Sequence, residues 1–244
     1  LDEVDDASRN GAANVLFLPM NLPEGIYFIV TTRPEKLNLR IDCAQDSCLI
    51  KPKSRENRAD IKDYIDAKRK SKGIKSYVKK QKLTQKSFVE HMIEKSEGNF
   101  MYLRYVLPEI ESGAYKDLQL SRLPSGLQNY YEDHWRRMGM MDKPLPKNKI
   151  RVVYVLSEVS SPVSCKLLAD FAREDELEVL GVLKEWEPFL HREEIDDNAR
   201  YSIYHSSFKD FLSRKDILKA VNIEIEHIKE LISLNLYEEF YGKG

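Results

Sequence analysis

Few side chains in this sequence stand where chemistry needs them, and three short stretches hold most of them. In "LDE", the acidic pair Asp2 and Glu3 follows Leu1 as though an apolar strand had just ended. Carboxylates supply the hard oxygens a magnesium ion binds and the base that polarises an attacking water. In "TTRP", Thr32 and Arg33 come directly after an apolar run. A guanidinium is always charged and can grip phosphate oxygens in bidentate fashion. In "YHSSFKDFL", His205 ends an apolar–polar alternation and precedes a helical pattern. A lone histidine at a strand end is usually an ordinary hydrogen-bonding residue, but an imidazole also suits a contact that must be made and broken.

Other chemistries find no support in the residue pattern. The motifs GxSxG, HExxH and GxGxxG do not occur, and the five histidines have no ligand spacing. No GxxxxGK[ST] loop is present, so the backbone cradle that holds ATP phosphates is missing and the chain alone is not expected to be catalytic. Cys43, Cys48 and Cys165 form no CxxC pair, which argues for packing rather than a disulfide framework or a zinc site. No apolar run approaches the roughly 18 residues of a membrane span, and no secretory leader is recognisable. A cytoplasmic protein is expected. The formal net charge of −1 argues against wholesale affinity for nucleic acid, although the stretch Lys51–Lys82 is strongly basic.

The elements that must position these residues change character along the chain. The run Ile26–Val30, closed by threonines and a proline, fits a strand buried on both faces of a parallel sheet. That placement sets Arg33 at the carboxyl end of the sheet, where nucleotides bind in open α/β folds. "NVLFL" before it reads as a helix end. From Asn57 the pattern becomes helical, with Ile61 and Ile65 four apart, and Thr84 as N-cap of a helix striped by Phe88, Val89, Met92 and Ile93. Gly98 reads as its stop, and Phe100, Leu103, Leu107 and Ile110 stripe the next helix. A further helix carries Leu127, Tyr131 and Trp135, and "MDKPLPKNK" marks a boundary. Three helical stretches and two short strands follow, which is the order of a winged helix. Phe208, Phe211 and Leu212 line another helix, and Ile217, Val221, Ile225, Ile228 and Ile232 predict one amphipathic helix from Asp216 onward.

Five stretches taken in order, "LDE", "LPEGIYFIVTTRPE", "SEGNFMYLRYVL", "LPSGLQNYYEDHW" and "YHSSFKDFL", resemble the STAND class of signalling P-loop ATPases. The resemblance is closest to the NACHT-like branch that includes inflammasome receptors and many bacterial sensor proteins. It implies an α-rich α+β chain: residues 1–50 as the C-terminal remnant of a parallel α/β P-loop nucleotide-binding domain, 51–140 as a helical bundle lid, 141–214 as a winged-helix domain and 215–244 as a following amphipathic helix. It implies too that the chain is a piece of a larger protein, cut inside its nucleotide site, with the principal magnesium-binding aspartate just upstream of Leu1. Asp2 and Glu3 would then complete the Walker B motif, Asp2 supporting the metal and Glu3 positioning the water. Arg33 would be the sensor-1 arginine on the terminal phosphate, with Thr32 a secondary contact. Gly98 and Phe100 would occupy the lid's Gly-x-Pro place, where the phenylalanine departs from the pattern but could stack on a base. His205 would contact the β-phosphate of ADP.

The function so implied is a switch, held off by ADP and turned on by ATP, that forms homo-oligomers on activation. The parent protein would be a slow ATPase using ATP/ADP and Mg2+, with no cofactor held tightly by this piece alone. Its partners would be an effector domain and the nucleotide-binding core upstream and sensor repeats downstream in the same chain, with no membrane and no nucleic acid expected. Two alternatives stand beside it. One is a winged-helix DNA-binding regulator, against which the acidic "DELEVLGVLKEWE" stretch argues by repelling the duplex. The other is a passive interaction module with a decayed nucleotide site.

Overall fold

A computed structural model of the chain describes residues 18–31, 42–195 and 198–241, with side chains as far as residue 234. It divides into two compact units, Leu1–Ile50 and Lys51–Gly244.

In the first unit the expected buried strand is absent from the described residues. Among those residues Ile26–Val30 pairs with no other strand, and Ile29 is 96% exposed. The physical reason is local. A strand buried on both faces needs neighbours along both edges and cover above and below, and the described residues of this unit supply neither. Among the described residues its backbone bonds include one turn, the Ile26 amide to the Pro23 carbonyl at 3.2 Å, and one long-range bond, the Asp42 amide to the Met20 carbonyl at 2.9 Å.

The second unit is helix-rich with a small antiparallel sheet. Five helices come first: α1 (Arg55–Lys68), α2 (Lys72–Lys80), α3 (Gln85–Ser96), α4 (Phe100–Ser112) and α5 (Gly126–Arg137). Ser54, Ser71 and Thr84 cap the first three by accepting from backbone amides, and Asn99 caps α4. After a link containing Pro144 and Pro146 come α6 (Lys147–Glu158), β1 (Val163–Ser164), α7 (Cys165–Ala172) and α8 (Glu176–Glu185). Then follow β2 (Leu190–Ile195), β3 (Asn198–Ile203) and α9 (Ser206–Leu212). The strands lie in the order β1-β3-β2, with Val163 opposite Tyr201 and Leu190 opposite Ile203. The two-residue strand β1 is too short to leave a pattern in the sequence.

The single helix expected from Asp216 is instead two, α10 (Lys215–Val221) and α11 (Ile225–Tyr241). Asn222 takes a left-handed conformation at φ 52°, and the Ile223 amide turns back to the Leu218 carbonyl at 3.2 Å. Asparagine tolerates that conformation better than most residues and often ends helices. The apolar periodicity continues across the break because Ile217, Val221 and Ile228 are all buried on either side of it.

An aromatic core joins the first five helices to the elements beyond the proline link. Phe189, 0% exposed in the 3-10 turn before β2, stacks on Phe208 of α9 at 4.8 Å. It also meets Tyr131 of α5 at 5.6 Å and Tyr105 of α4 at 5.0 Å. Such ring pairs each contribute about 0.5–1.5 kcal/mol beyond the area they bury. Beside this core, the Glu109 carboxylate accepts from the Tyr130 hydroxyl at 2.9 Å and the Arg137 guanidinium at 3.1 Å. His134 stands 3.7 Å from the same carboxylate, with its ring edge-on to Phe189 at 4.5 Å. Burial pushes the Glu109 carboxyl up, but His134, the Tyr115 and Tyr130 hydroxyls and the Arg137 charge outweigh it. The group is held below the ordinary carboxylate range.

Candidate functional site

The corner between α3 and α4 is built around Gly98. The α3 helix ends in two left-handed residues, Glu97 at φ 52° and Gly98 at φ 83°. A Cβ at position 98 would lie 2.1 Å from the Pro52 carbonyl oxygen, so only glycine fits both the dihedral and the space. The buried Asn57 side chain at the start of α1 clamps the approach, its amide donating to Pro52 O at 2.8 Å and Gly98 O at 2.9 Å. Gly98 therefore has a packing role that accounts for it without any ligand. Phe100 opens α4 just beyond. It is 38% exposed and meets Tyr64 edge-on at 5.7 Å, while Leu103, Leu107 and Ile110 of the same expected stripe are buried.

His205 caps the N-terminus of α9. Its Nδ1 accepts from the Ser207 amide at 3.1 Å and lies 2.7 Å from the Ser207 hydroxyl. That hydroxyl is in turn 2.9 Å from the Tyr131 hydroxyl on α5. A nitrogen that accepts a backbone N–H cannot carry a proton, so the neutral ring has its proton on Nε2. The imidazole is thus oriented by a three-residue chain anchored in the aromatic core, and Nε2 is its donor edge. Tyr131 is buried, which raises the pKa of its hydroxyl and keeps it a neutral member of that chain.

Helix α4 connects the two corners. Phe100 and Arg104 are one turn apart on it, about 6 Å along the axis. The Arg104 guanidinium lies over the Tyr204 ring at 4.2 Å, and Tyr204 immediately precedes His205. Phe100, Arg104 and Tyr204 therefore share one side of the unit, a half-exposed ring beside a stacked cation, and the imidazole of His205 follows as the next residue of the chain. Such a group can stack on a planar ligand and pair with an anion beside it. Asp2, Glu3, Thr32 and Arg33 lie outside the described residues.

Arg104, Ser207 and Asn57 are site residues that sequence reasoning misses. Ser207 carries a readable signal, since its backbone amide, two places after the capping residue, is one that a helix start leaves for the cap side chain to accept. Arg104 and Asn57 carry none, because their partners are distant in the chain. Among the described residues no group of three or more His, Cys, Asp or Glu side chains could hold a metal ion, and no helix is long and apolar enough to cross a membrane. Compared with protein families, curated proteins and solved structures, the chain matches none.

Proposed function

We propose that this chain belongs to a nucleotide-dependent signalling switch of the STAND class, NACHT-like branch, held off by ADP and released by ATP to form homo-oligomers. Within it, residues 141–214 act as a winged-helix domain and 51–140 as the helical lid. The observation that carries the reading is the setting of His205: an imidazole whose Nδ1 is held by Ser207, itself tied to Tyr131, which leaves Nε2 as the ring's donor, one residue from the Arg104–Tyr204 stack. A ring held this way is preorganised to donate to one phosphate oxygen and to lose that contact when a domain swings away. The order α6-β1-α7-α8-β2-β3 with the sheet order β1-β3-β2 supports the winged-helix part of the reading. Helix α8, with Glu176, Glu178 and Glu185, makes a poor reader of duplex DNA and favours the switch over a winged-helix regulator.

The residues in hand fit part of a nucleotide. His205 would hold the β-phosphate and Phe100 would stack on the base, while the phosphate cradle and the magnesium carboxylates would come from the rest of the nucleotide-binding domain, Asp2 and Glu3 included. Bound nucleotide would supply the difference in affinity between the closed and open states. Moving such an equilibrium from 1:99 to 99:1 takes about 5.5 kcal/mol. One hydrogen bond to a charged phosphate contributes about 1.5–3 kcal/mol. A sensor elsewhere in the protein must therefore supply the remainder.

The test is nucleotide retention. The natural protein that contains this chain is purified without added nucleotide and its bound ADP measured by mass spectrometry after denaturation, alongside His205→Ala. ADP should co-purify with the parent and fall about tenfold in the variant, the equivalent of about 1.4 kcal/mol. Equal ADP in both, with matching circular dichroism, removes His205 from the proposal. No ADP in a folded parent favours a passive interaction module.

A further inference from the structure

Helix α2 and its flanks carry a concentration of positive charge that the switch does not use. Between Lys68 and Lys86, nineteen residues hold nine cations and no carboxylate, in a chain whose net charge is −1. Some of these cations are engaged. Arg69 pairs with Asp66, Lys80 with Asp117 at 2.8 Å and Lys86 with Glu90 at 3.9 Å, while Lys68 lies over the Tyr64 ring. Lys70, Lys72, Lys75, Lys79 and Lys82 are exposed and have no carboxylate partner among the described residues.

The opposite side of the helix is taken up by packing. Gly73 lets α2 approach α4 so closely that a Cβ there would lie 2.1 Å from the Glu111 carbonyl oxygen. Ile74, Tyr77 and Val78 are buried, and the Tyr77 hydroxyl and Gln81 amide both donate to the Leu118 carbonyl at 3.0 Å. At about 100° per residue, Lys72, Lys75 and Lys79 fall within an arc of roughly 60° opposite that face, and span about 10 Å along the axis. Apart from the favourable place of Lys79 in the last turn of the helix, folding gains little from these lysines, and their mutual repulsion works against it.

The chemistry of the face selects its partner. No apolar anchor lies between Lys68 and Lys86 on the exposed side, and lysine is depleted in protein interfaces, whose affinity rests on buried aromatic and arginine side chains. Stable attachment to a membrane takes an apolar insertion or a lipid chain in addition to basic residues, and the apolar face of α2 is already buried. The one aromatic of the stretch, Tyr77, is also buried, so there is no platform on which single-stranded bases could stack. Lysines act as point charges rather than bidentate readers of base edges. What remains is a partner with dense, regular negative charge and no need to be read. Duplex nucleic acid carries one phosphate per about 1.7 Å of axis. We infer that the lysine face of α2 binds the phosphate backbone of double-stranded nucleic acid without reading its sequence. It lies on a different helix from acidic α8 and needs no nucleotide, so it stands or falls separately from the switch.

The test is fluorescence anisotropy of a labelled 20-base-pair random-sequence DNA duplex titrated with the 244-residue chain between 50 and 200 mM KCl. A matched RNA duplex run in parallel tells which nucleic acid is preferred. With four or five phosphate contacts, log affinity should fall against log salt with a slope of about −4, and Lys72→Gln/Lys75→Gln/Lys79→Gln should flatten it by nearly 3. The triple variant should also bind at least tenfold more weakly at 50 mM KCl, with circular dichroism unchanged. Absence of binding by the folded chain to either duplex at 50 mM KCl overturns the inference, as does an unchanged slope in the triple variant. Binding to vesicles containing phosphatidylserine but to neither duplex assigns the face to a membrane surface instead.

Discussion

Ile26–Val30 and Val152–Leu156 are the same length and hold only aliphatic and aromatic residues, two rings in the first and one in the second, yet they finish in opposite environments. The first is largely exposed, with Tyr27 and Ile29 almost fully so and Ile26 and Phe28 about half, and the second is buried throughout as the middle of α6. Helix α6 satisfies its backbone polar groups within itself and needs only side-chain cover, which α7, α8, α9, α11 and β3 provide. A strand cannot satisfy its own backbone. It needs partners on both edges before its side chains can be covered at all. Equal hydrophobicity thus states equal demand for burial, while the element type decides whether one compact unit can meet it.

Three substitutions probe that contrast, beginning with the largest effect. Tyr154→Ala in α6 removes a fully buried ring and its hydrogen bond to the Leu212 carbonyl at 3.0 Å. It should destabilise the Lys51–Gly244 unit by about 3–5 kcal/mol in urea unfolding. A loss under about 1 kcal/mol would mean that the cover around α6 is loose. Next, Glu109→Gln tests whether the polar groups beside the core matter to stability as the apolar ones do, and should cost about 2 kcal/mol at neutral pH. Because the folded pKa of Glu109 is depressed, its ionisation contributes stability that is fully present above its ordinary value of 4.5 and lost as pH falls through the lower folded value. The variant should therefore lose less stability than the parent between about pH 4.5 and pH 3, measured by the shift in thermal midpoint. The smallest effect belongs to Ile29→Ser, which should change stability by less than about 0.5 kcal/mol. A larger loss would show Ile29 covered in solution and collapse the contrast.

Much of the second unit is legible in the sequence because its signals are local. Thr84 before an apolar stripe and Gly98 after it mark α3 at both ends, since a cap side chain and a left-handed residue are short-range requirements. Helix α2 escapes notice although Ile74, Tyr77 and Val78 have helical spacing, because the stretch around it reads first as a charge run. The break at Asn222 is hidden by apolar periodicity that carries straight through it. At the candidate site, the histidine and the helix after it can be read from "YHSSFKDFL", but what holds the ring cannot. Tyr131 is 76 positions away from Ser207, and the Arg104–Tyr204 stack joins residues a hundred apart, so both depend on packing that no window of sequence contains. The missing strand at Ile26–Val30 has the same origin, since a sheet edge depends on other segments.

The Asn57 clamp has a consequence for the order in which the chain folds. A single side-chain amide ties Pro52 O to Gly98 O, and the second bond spans 41 positions. Helices α1, α2 and α3 can each nucleate from their own caps within microseconds. The bond across 41 positions cannot close until those helices have docked and brought Gly98 against Pro52. The joint is therefore a late latch on the folding route, and a side chain too short to span both carbonyls would leave the rates of helix formation intact while hastening the first step of unfolding.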